Sequence, residues 1–288
     1  MTRVFVTGAV GRLGREVVRQ FIDAGHEVVG VDRAKVDGVL PDEVRLVELD
    51  LLDLGQVAQT MRDCDALVHL AAIPAPYGRP DDVVFGNNVF ATFNALQAAS
   101  LAGIRAVALA SSGSIYGTAW APDYLAYPAA PVIEDTELAN HDVYGLGKEV
   151  DEQTARMFCR RDGMSIACLR FHWITRPDEQ RAAARTLAEP DADLHGAGRG
   201  LWGYVDIRDA ASACVQAVTT AIERPYGFAA LNITAADTLS TVPTEALIRD
   251  HSPSTRVLSP IEGTATAFDL SAAERTIGWR PRYSWRDA

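Results

Sequence analysis

A short apolar run, Val4-Phe5-Val6, leads directly into Thr7-Gly8-Ala9-Val10-Gly11-Arg12-Leu13-Gly14. From there Leu13, Val17, Val18, Phe21 and Ile22 recur at helical spacing until Gly25. A buried strand, a glycine turn and an amphipathic helix in that order leave few folds open. The helix must carry the chain back to begin a second strand parallel to the first. The glycines divide the work: Gly8 permits the tight turn, Gly11 lets an anion approach the backbone at the helix start, and Gly14 allows close helix–strand packing.

The same alternation continues. Apolar runs predict strands at Glu27 to Asp32, Val44 to Leu49, Ala66 to Leu70, Val107 to Ala110 and Ser165 to Phe171. Helical patterns separate them, from about Gln56 to Arg62, from Phe85 to Leu101 (ended by Gly103) and over 144–161. The expected fold class is α/β, a doubly wound parallel sheet (Rossmann-like) with a smaller C-terminal lobe. From about residue 172 the pattern turns irregular. Short strands are expected near 204–207, 231–233 and 256–258, among prolines at 243, 253, 260 and 281. The expected division is a nucleotide-binding part over 1–171 and a substrate lobe over 172–288, with strands returning to the main sheet.

Composition narrows the function. A net charge of −11 repels phosphate backbones, so no nucleic-acid partner is expected. No run of about 18 apolar residues is present, so no membrane span is expected. The apolar stretch at the start breaks at glycine and is too short for a signal-peptide core, so a cytoplasmic location is expected. Cys64, Cys159, Cys168 and Cys214 form no CxxC pair and the six histidines are scattered, so no metal is expected.

Asp32 ends the second strand, 18 residues past Gly14. A carboxylate there accepts from the ribose hydroxyls of an adenine dinucleotide. The residues expected against that cofactor begin with Gly8, Gly11, Arg12, Leu13, Gly14 and Asp32. Asp32 favours NAD, because it repels the additional phosphate of NADP. Arg12 and Arg33 keep NADP open, since either can pair with that phosphate; otherwise both are solvated surface side chains. Asp50-Leu51 either flanks the adenine or caps the next helix.

Tyr144 and Lys148 stand at i and i+4 on a predicted helix, one turn apart on one face. A nearby ammonium favours the phenolate and suits the tyrosine to general-base work. Ser111-Ser112-Gly113-Ser114-Ile115-Tyr116-Gly117 lies at the carboxyl end of the fifth predicted strand, where ligands bind in open α/β sheets. A serine hydroxyl there can hydrogen-bond a substrate oxygen whose charge changes during hydride transfer.

With these pieces in order, the chain resembles the extended short-chain dehydrogenase/reductase superfamily, in its epimerase/dehydratase-like branch. The resemblance covers nearly the whole sequence. It rests on TGAVGRLG at 7–14, Asp32, Asp50-Leu51, HLAA at 69–72, Asn87-Asn88-Val89, SSGSIYG at 111–117 and YGLGK at 144–148. Later pieces are Leu169-Arg170-Phe171, YVDIRD at 204–209, Leu231-Asn232-Ile233 and IGWRP at 277–281. It implies Tyr144 as acid/base, Lys148 on the nicotinamide ribose, and Ser112 as the catalytic hydroxyl, with Ser111 the nearest competitor. It implies that Leu70, Ala71 and Ala72 line the dinucleotide and that Asn88 sits at the start of the long helix beside it. It also implies a homodimer paired through the helices that begin near 87 and 144.

Three reactions fit: a dehydrogenase, a nucleotide-sugar 4-epimerase with tightly bound NAD, and a non-catalytic dinucleotide sensor. A dehydratase does not, because Gly113-Ser114 occupies the place of that branch's acidic pair. Only 33 residues separate Arg170 from Tyr204. Nucleotide-sugar enzymes of this family are typically longer there, so a small polyol, free sugar or sugar acid is the expected substrate. The trimmed form is most similar to the uronate dehydrogenases, although these carry Asn-His where this chain has Gly113-Ser114. Expected substrate contacts are Pro74, Ser112, Gly113, Ser114, His172, Trp173 and Arg176. Pro74 belongs to a loop, Ile73 to Tyr77, that lines the cleft or is a rigid two-proline turn. Arg176, Arg181 and Arg185 each clamp a carboxylate or stand on a solvated face. His172 is a contact or a packed core histidine, and Trp202 and Tyr204 either stack on a sugar or pack in the core.

Overall fold

The computed structural model describes residues 1–34, 36 and 38–287. The strand–turn–helix at the N-terminus forms as the sequence dictates: β1 (Arg3–Thr7), then α1 (Arg12–Asp23). The alternation then runs β2 (Glu27–Asp32), β3 (Arg45–Glu48), α2 (Leu54–Met61), β4 (Ala66–His69), α3 (Asp81–Leu101) and β5 (Ala106–Ser112). A 3₁₀ turn at Gly113–Tyr116, a two-residue β6 (Ala129–Ala130), α4 (Val143–Asp162) and β7 (Ser165–Phe171) follow. Beyond lie β8 (Ile174–Thr175), α5 (Pro177–Leu187), α6 (Leu194–Ala197), β9 (Val205–Asp206), α7 (Ile207–Glu223), β10 (Phe228–Ile233), α8 (Thr244–His251), β11 (Arg256–Val257) and α9 (Ser271–Ile277).

Seven strands form one parallel sheet in the order β10-β7-β5-β4-β1-β2-β3. The order reverses between β1 and β4, which opens a crevice at the strands' carboxyl ends. Both faces are dry. One core joins Val4, Val6 and Val68 to α1 and α7 through Val17, Phe21, Ala210 and Ala217. The other joins Phe5, Leu67 and Val107 to α2, α3 and α4 through Val57, Leu96 and Phe158. Burial on two faces explains why the strands read as apolar runs and not as alternation.

Several boundaries differ from the sequence expectation: β10 begins at Phe228, three residues before the expected 231, α2 begins at Leu54, and two further shifts bear on the site. Helix α3 starts at Asp81, four residues before Phe85. Pro80 sits at its N-cap, and Asp81 and Asp82 in its first turn match the positive end of the helix dipole. Strand β5 extends through Ser111 and Ser112, which pair with Arg170 and Phe171 of β7. Polar residues hid that extension. The irregular C-terminal part contributes β10 to the sheet edge and α7 to one face. It also builds a separate core around Tyr116, Tyr127, Trp202, Leu247, Ile248 and Phe268. No helix is long and apolar enough to cross a membrane among the described residues.

Candidate active site

The glycine turn meets the end of β4 closely. Gly8 adopts φ +67°, and a Cβ there would lie 3.0 Å from the Ala71 amide nitrogen. A Cβ on Gly14 would overlap the Gly8 carbonyl oxygen. Gly11 is the N-cap of α1 and offers no side-chain cap, so the first-turn N–H groups stay open to an anion. The Thr7 hydroxyl, buried between β1 and β4, accepts from the Leu70 and Ala71 amides at 3.0 and 3.2 Å. With its lone pairs so used, it donates to His69 Nδ1 at 2.9 Å.

Two cavities share Gly8, Gly11, Leu70 and Ala72 and form one groove across the carboxyl ends of the strands. The smaller, of about 190 Å³, is lined also by Asp32, Arg33, Asp50, Leu51 and Ala71. The Asp32 carboxylate accepts from the Val10 amide at 3.3 Å. Asp50 closes a turn by accepting from Leu52, while Asp53, not Asp50, caps α2. Asn88 does not line the groove. It is the eighth residue of α3, and its amide is spent on the backbone of Ile73, at 2.8 Å to N and 3.0 Å to O. It therefore pins the loop before Pro74, and its neighbour Asn87 reaches the cavity in its place.

The larger cavity, of about 690 Å³, gathers Arg12, Leu13, Gly14, Pro74, Ser112, Gly113, Ser114, Tyr144, Lys148, His172 and Trp173. Asp142 caps α4 by accepting from the Gly145 amide at 2.8 Å, which sets Tyr144 in the first turn. Lys148 is buried, with Nζ 5.8 Å from the centre of the Tyr144 ring. It donates to the Ala110 carbonyl at 2.8 Å and to Asp151 at 3.3 Å, and its third N–H has no protein acceptor among the described residues. Burial works against its charge, but Asp151 and Tyr144 outweigh burial and raise its pKa.

The two serines have different surroundings. Ser111 donates to Glu152 at 2.8 Å, and Glu152 is held bidentately by the buried Arg170 at 2.9 and 2.8 Å. Ser112 accepts from the Ser114 amide and donates to the Ser114 hydroxyl, both at 3.1 Å. Its proton is committed to another hydroxyl and not to a carboxylate. Gly113 is small for a reason: a Cβ there would come within 2.6 Å of the His172 ring. That ring also packs on Phe268, with centroids 4.0 Å apart, and its buried Nε2 has no partner among the described residues.

Some expected contacts are not brought to the cavity. Arg176 is the exposed N-cap of α5 and does not line it, nor do Arg181 and Arg185. Trp202 and Tyr204 are core residues: Trp202 Nε1 donates to the Leu194 carbonyl, and the Tyr204 hydroxyl donates to Asp237 at 2.7 Å. Arg12 reaches the cavity but is ion-paired with Glu179 of α5. Sequence reasoning missed Trp120, Tyr127 and Arg199, all of which line it. The glycine-dense stretch Gly196-Ala197-Gly198-Arg199-Gly200 was the available signal for Arg199.

Residues 4–233 match the sequence pattern of the NAD dependent epimerase/dehydratase family. The chain belongs to that family. NAD is the cofactor of the family, and the uncapped start of α1, the glycine turn and Asp32 fit an adenine dinucleotide. Among curated relatives, the L-arabinose 1-dehydrogenase (NAD(P)(+)) of Haloferax volcanii is 29% identical over 186 residues, covering 63% of this chain and 70% of that protein. The uronate dehydrogenase of Agrobacterium fabrum is 29% identical, covering 66% and 69%. The UDP-glucose 4-epimerase of Azospirillum brasilense is 30% identical over 183 residues, covering 61% of this chain and only 50% of that protein. A solved structure of MoeE5 with UDP-glucose and NAD is 26% identical, with a TM-score of 0.70 and coverage of 99% and 95%. The family places the chain among NAD-dependent sugar dehydrogenases and epimerases.

Proposed function

We propose that this protein is an NAD(P)-dependent dehydrogenase of a small polyol, free sugar or sugar acid. The observation that carries the reading is the meeting of Ser112, Tyr144 and Lys148 in one cavity that runs into the dinucleotide groove. The Tyr144 phenolic oxygen is the acid/base group that exchanges a proton with the substrate hydroxyl, and the Lys148 ammonium stands one helical turn along α4 beside its ring. The free N–H of Lys148 holds a ribose hydroxyl of the cofactor. The Ser112 hydroxyl turns its one proton from Ser114 to the reacting oxygen when substrate is bound, while the Ser114 amide keeps the Ser112 oxygen in place. Gly8, Gly11, Leu13 and Gly14 receive the pyrophosphate, and Asp32 the adenosine ribose, which favours NAD over NADP. When bound, NAD supplies the hydride acceptor. Residues 1–171 carry the cofactor and 172–288 close over the substrate.

Relatives support this reading: the arabinose and uronate dehydrogenases are matched over about 70% of their length, the epimerase over half. Tyr144→Phe keeps the ring and removes the proton acceptor. We expect kcat for NAD reduction to fall roughly 10²- to 10⁴-fold while the Kd for NAD stays within a few-fold. Parental turnover in that variant would overturn the mechanism.

A nucleotide-sugar 4-epimerase is the second reading, favoured by the 30% identity to the Azospirillum enzyme. It predicts interconversion of UDP-glucose and UDP-galactose, followed by chromatography, without accumulation of reduced nicotinamide.

A further inference from the structure

Three cations line the larger cavity, Arg12, Lys148 and Arg199, and no Asp or Glu lines it among the described residues. Two of these charges are balanced from outside the cavity: Arg12 by Glu179 and Lys148 by Asp151. Arg199 has no carboxylate within ion-pairing distance among the described residues, in a chain whose net charge is −11. Its side chain is nonetheless held in place. Nη1 donates to the Ala121 carbonyl at 2.7 Å and the Asp123 carbonyl at 3.3 Å. Its own carbonyl accepts from the Thr118 hydroxyl at 2.7 Å. Leu201 and Trp202 follow with φ of +48° and +55°, a left-handed pair of side-chain-bearing residues that needs support from the surrounding fold. Carbonyls orient a guanidinium without neutralising it. Nε and Nη2 bond no protein atom among the described residues, and that edge matches a planar carboxylate bidentately.

The rest of the cavity suits a sugar. Trp120 and Trp173 line it with partly exposed rings, and Tyr77 braces Trp120 edge-on at 5.1 Å. Aromatic faces of this kind cover the C–H side of a pyranose.

We infer that Arg199 is the specificity-determining residue of the site and binds the carboxylate of a sugar acid, so that the substrate is a hexuronic or related acid and not a neutral sugar. This deepens the dehydrogenase reading and rests on it for the reaction, but binding can be tested apart from turnover. Protein saturated with NADH, which leaves no hydride acceptor for turnover, is titrated calorimetrically with D-galacturonate, D-glucuronate, D-galactose, galactose 1-phosphate and UDP-galactose, and NAD reduction is followed separately by absorbance. The parent, Arg199→Lys and Arg199→Gln are compared, and thermal unfolding reports the integrity of each. The parent is expected to bind a uronate at least about tenfold more tightly than galactose. In Arg199→Gln that uronate affinity should fall about 10- to 100-fold, the range for a lost hydrogen bond to a charged group. Arg199→Lys keeps the charge and should recover part of it.

Uronate binding that depends on Arg199 without any NAD reduction would keep the assignment and refute the dehydrogenase reading. The assignment is overturned by no uronate binding by the parent, by preference for a phosphate-bearing ligand, or by a folded Arg199→Gln protein with uronate affinity unchanged. If Arg199→Gln unfolds, Arg199→Lys decides. Retained discrimination between uronate and galactose supports the subsite. Discrimination absent from both the parent and Arg199→Lys leaves Arg199 as a loop clamp alone and overturns it.

Discussion

His69 and His172 are buried imidazoles with no carboxylate among the described residues to hold a proton on them. Burial, with the charge of Lys148 near His69 and of Arg170 near His172, pushes both down to about 3. Both are neutral in the fold at pH 7, and His69 is set as the Nε2–H tautomer by the proton it receives from Thr7 at Nδ1. In the unfolded chain each takes a proton near pH 6.5. Their contribution to stability is therefore complete above about 6.5 and is lost as pH falls from there toward 3. Well inside that window each removes about 1.4 kcal/mol per pH unit. Asp209 works the other way. Burial pushes its carboxyl up to about 6, so its contribution is present below about pH 4 and lost as pH rises through 6. Urea unfolding of the parent and His172→Leu between pH 4.5 and 7.5 isolates one imidazole, since Nε2 of His172 has no bond to lose. The variant should show a slope shallower by close to one proton below pH 5.5. An unchanged slope would mean that His172 is protonated in the folded protein.

Among the elements, α4 and β7 are tied by an ion pair out of water. Glu152 and Arg170 are both buried, and Arg170 reaches on to the Tyr116 hydroxyl at 3.0 Å and the Glu134 carbonyl at 2.7 Å. Tyr116 in turn donates to Asn232 of β10 at 2.7 Å. Removing one partner strands a buried charge, and Glu152→Ala should cost about 3–5 kcal/mol of unfolding free energy. A loss below about 1 kcal/mol by denaturant titration would show that water reaches the pair. Element boundaries were also where the sequence misled. The apolar period located α3, but only its capping chemistry at Pro80 and the aspartates locates its start. Ser111 and Ser112 look like the beginning of a loop, yet they complete β5, because β7 offers backbone partners that local composition cannot reveal.

On the whole molecule, the outer side of α3 leaves Phe90 at 64% exposure and Leu101 at 66%, with Val83, Phe93 and, on α4, Leu146 also in solvent. Apolar surface arranged along two packed helices is costly to leave wet and supports the expected homodimer. Sedimentation should show the parent as a dimer and Phe90→Glu, which places a charge in that face, as a folded monomer. A monomeric parent would refute the pairing. The alternation of strand and helix, the glycine turn, Asp32 and the Tyr144–Lys148 pair are all legible in the amino-acid order. Each of these is local: a period, a turn geometry or a spacing of four along one helix. Which polar groups face the groove was set by packing. It turned Asn88 to the Ile73 backbone, left Arg176 in solvent, buried Trp202 and Tyr204, and brought Arg199 into the cavity. Those outcomes depend on packing between segments distant in the chain, where a side chain's partner is set by burial and not by its neighbours in sequence.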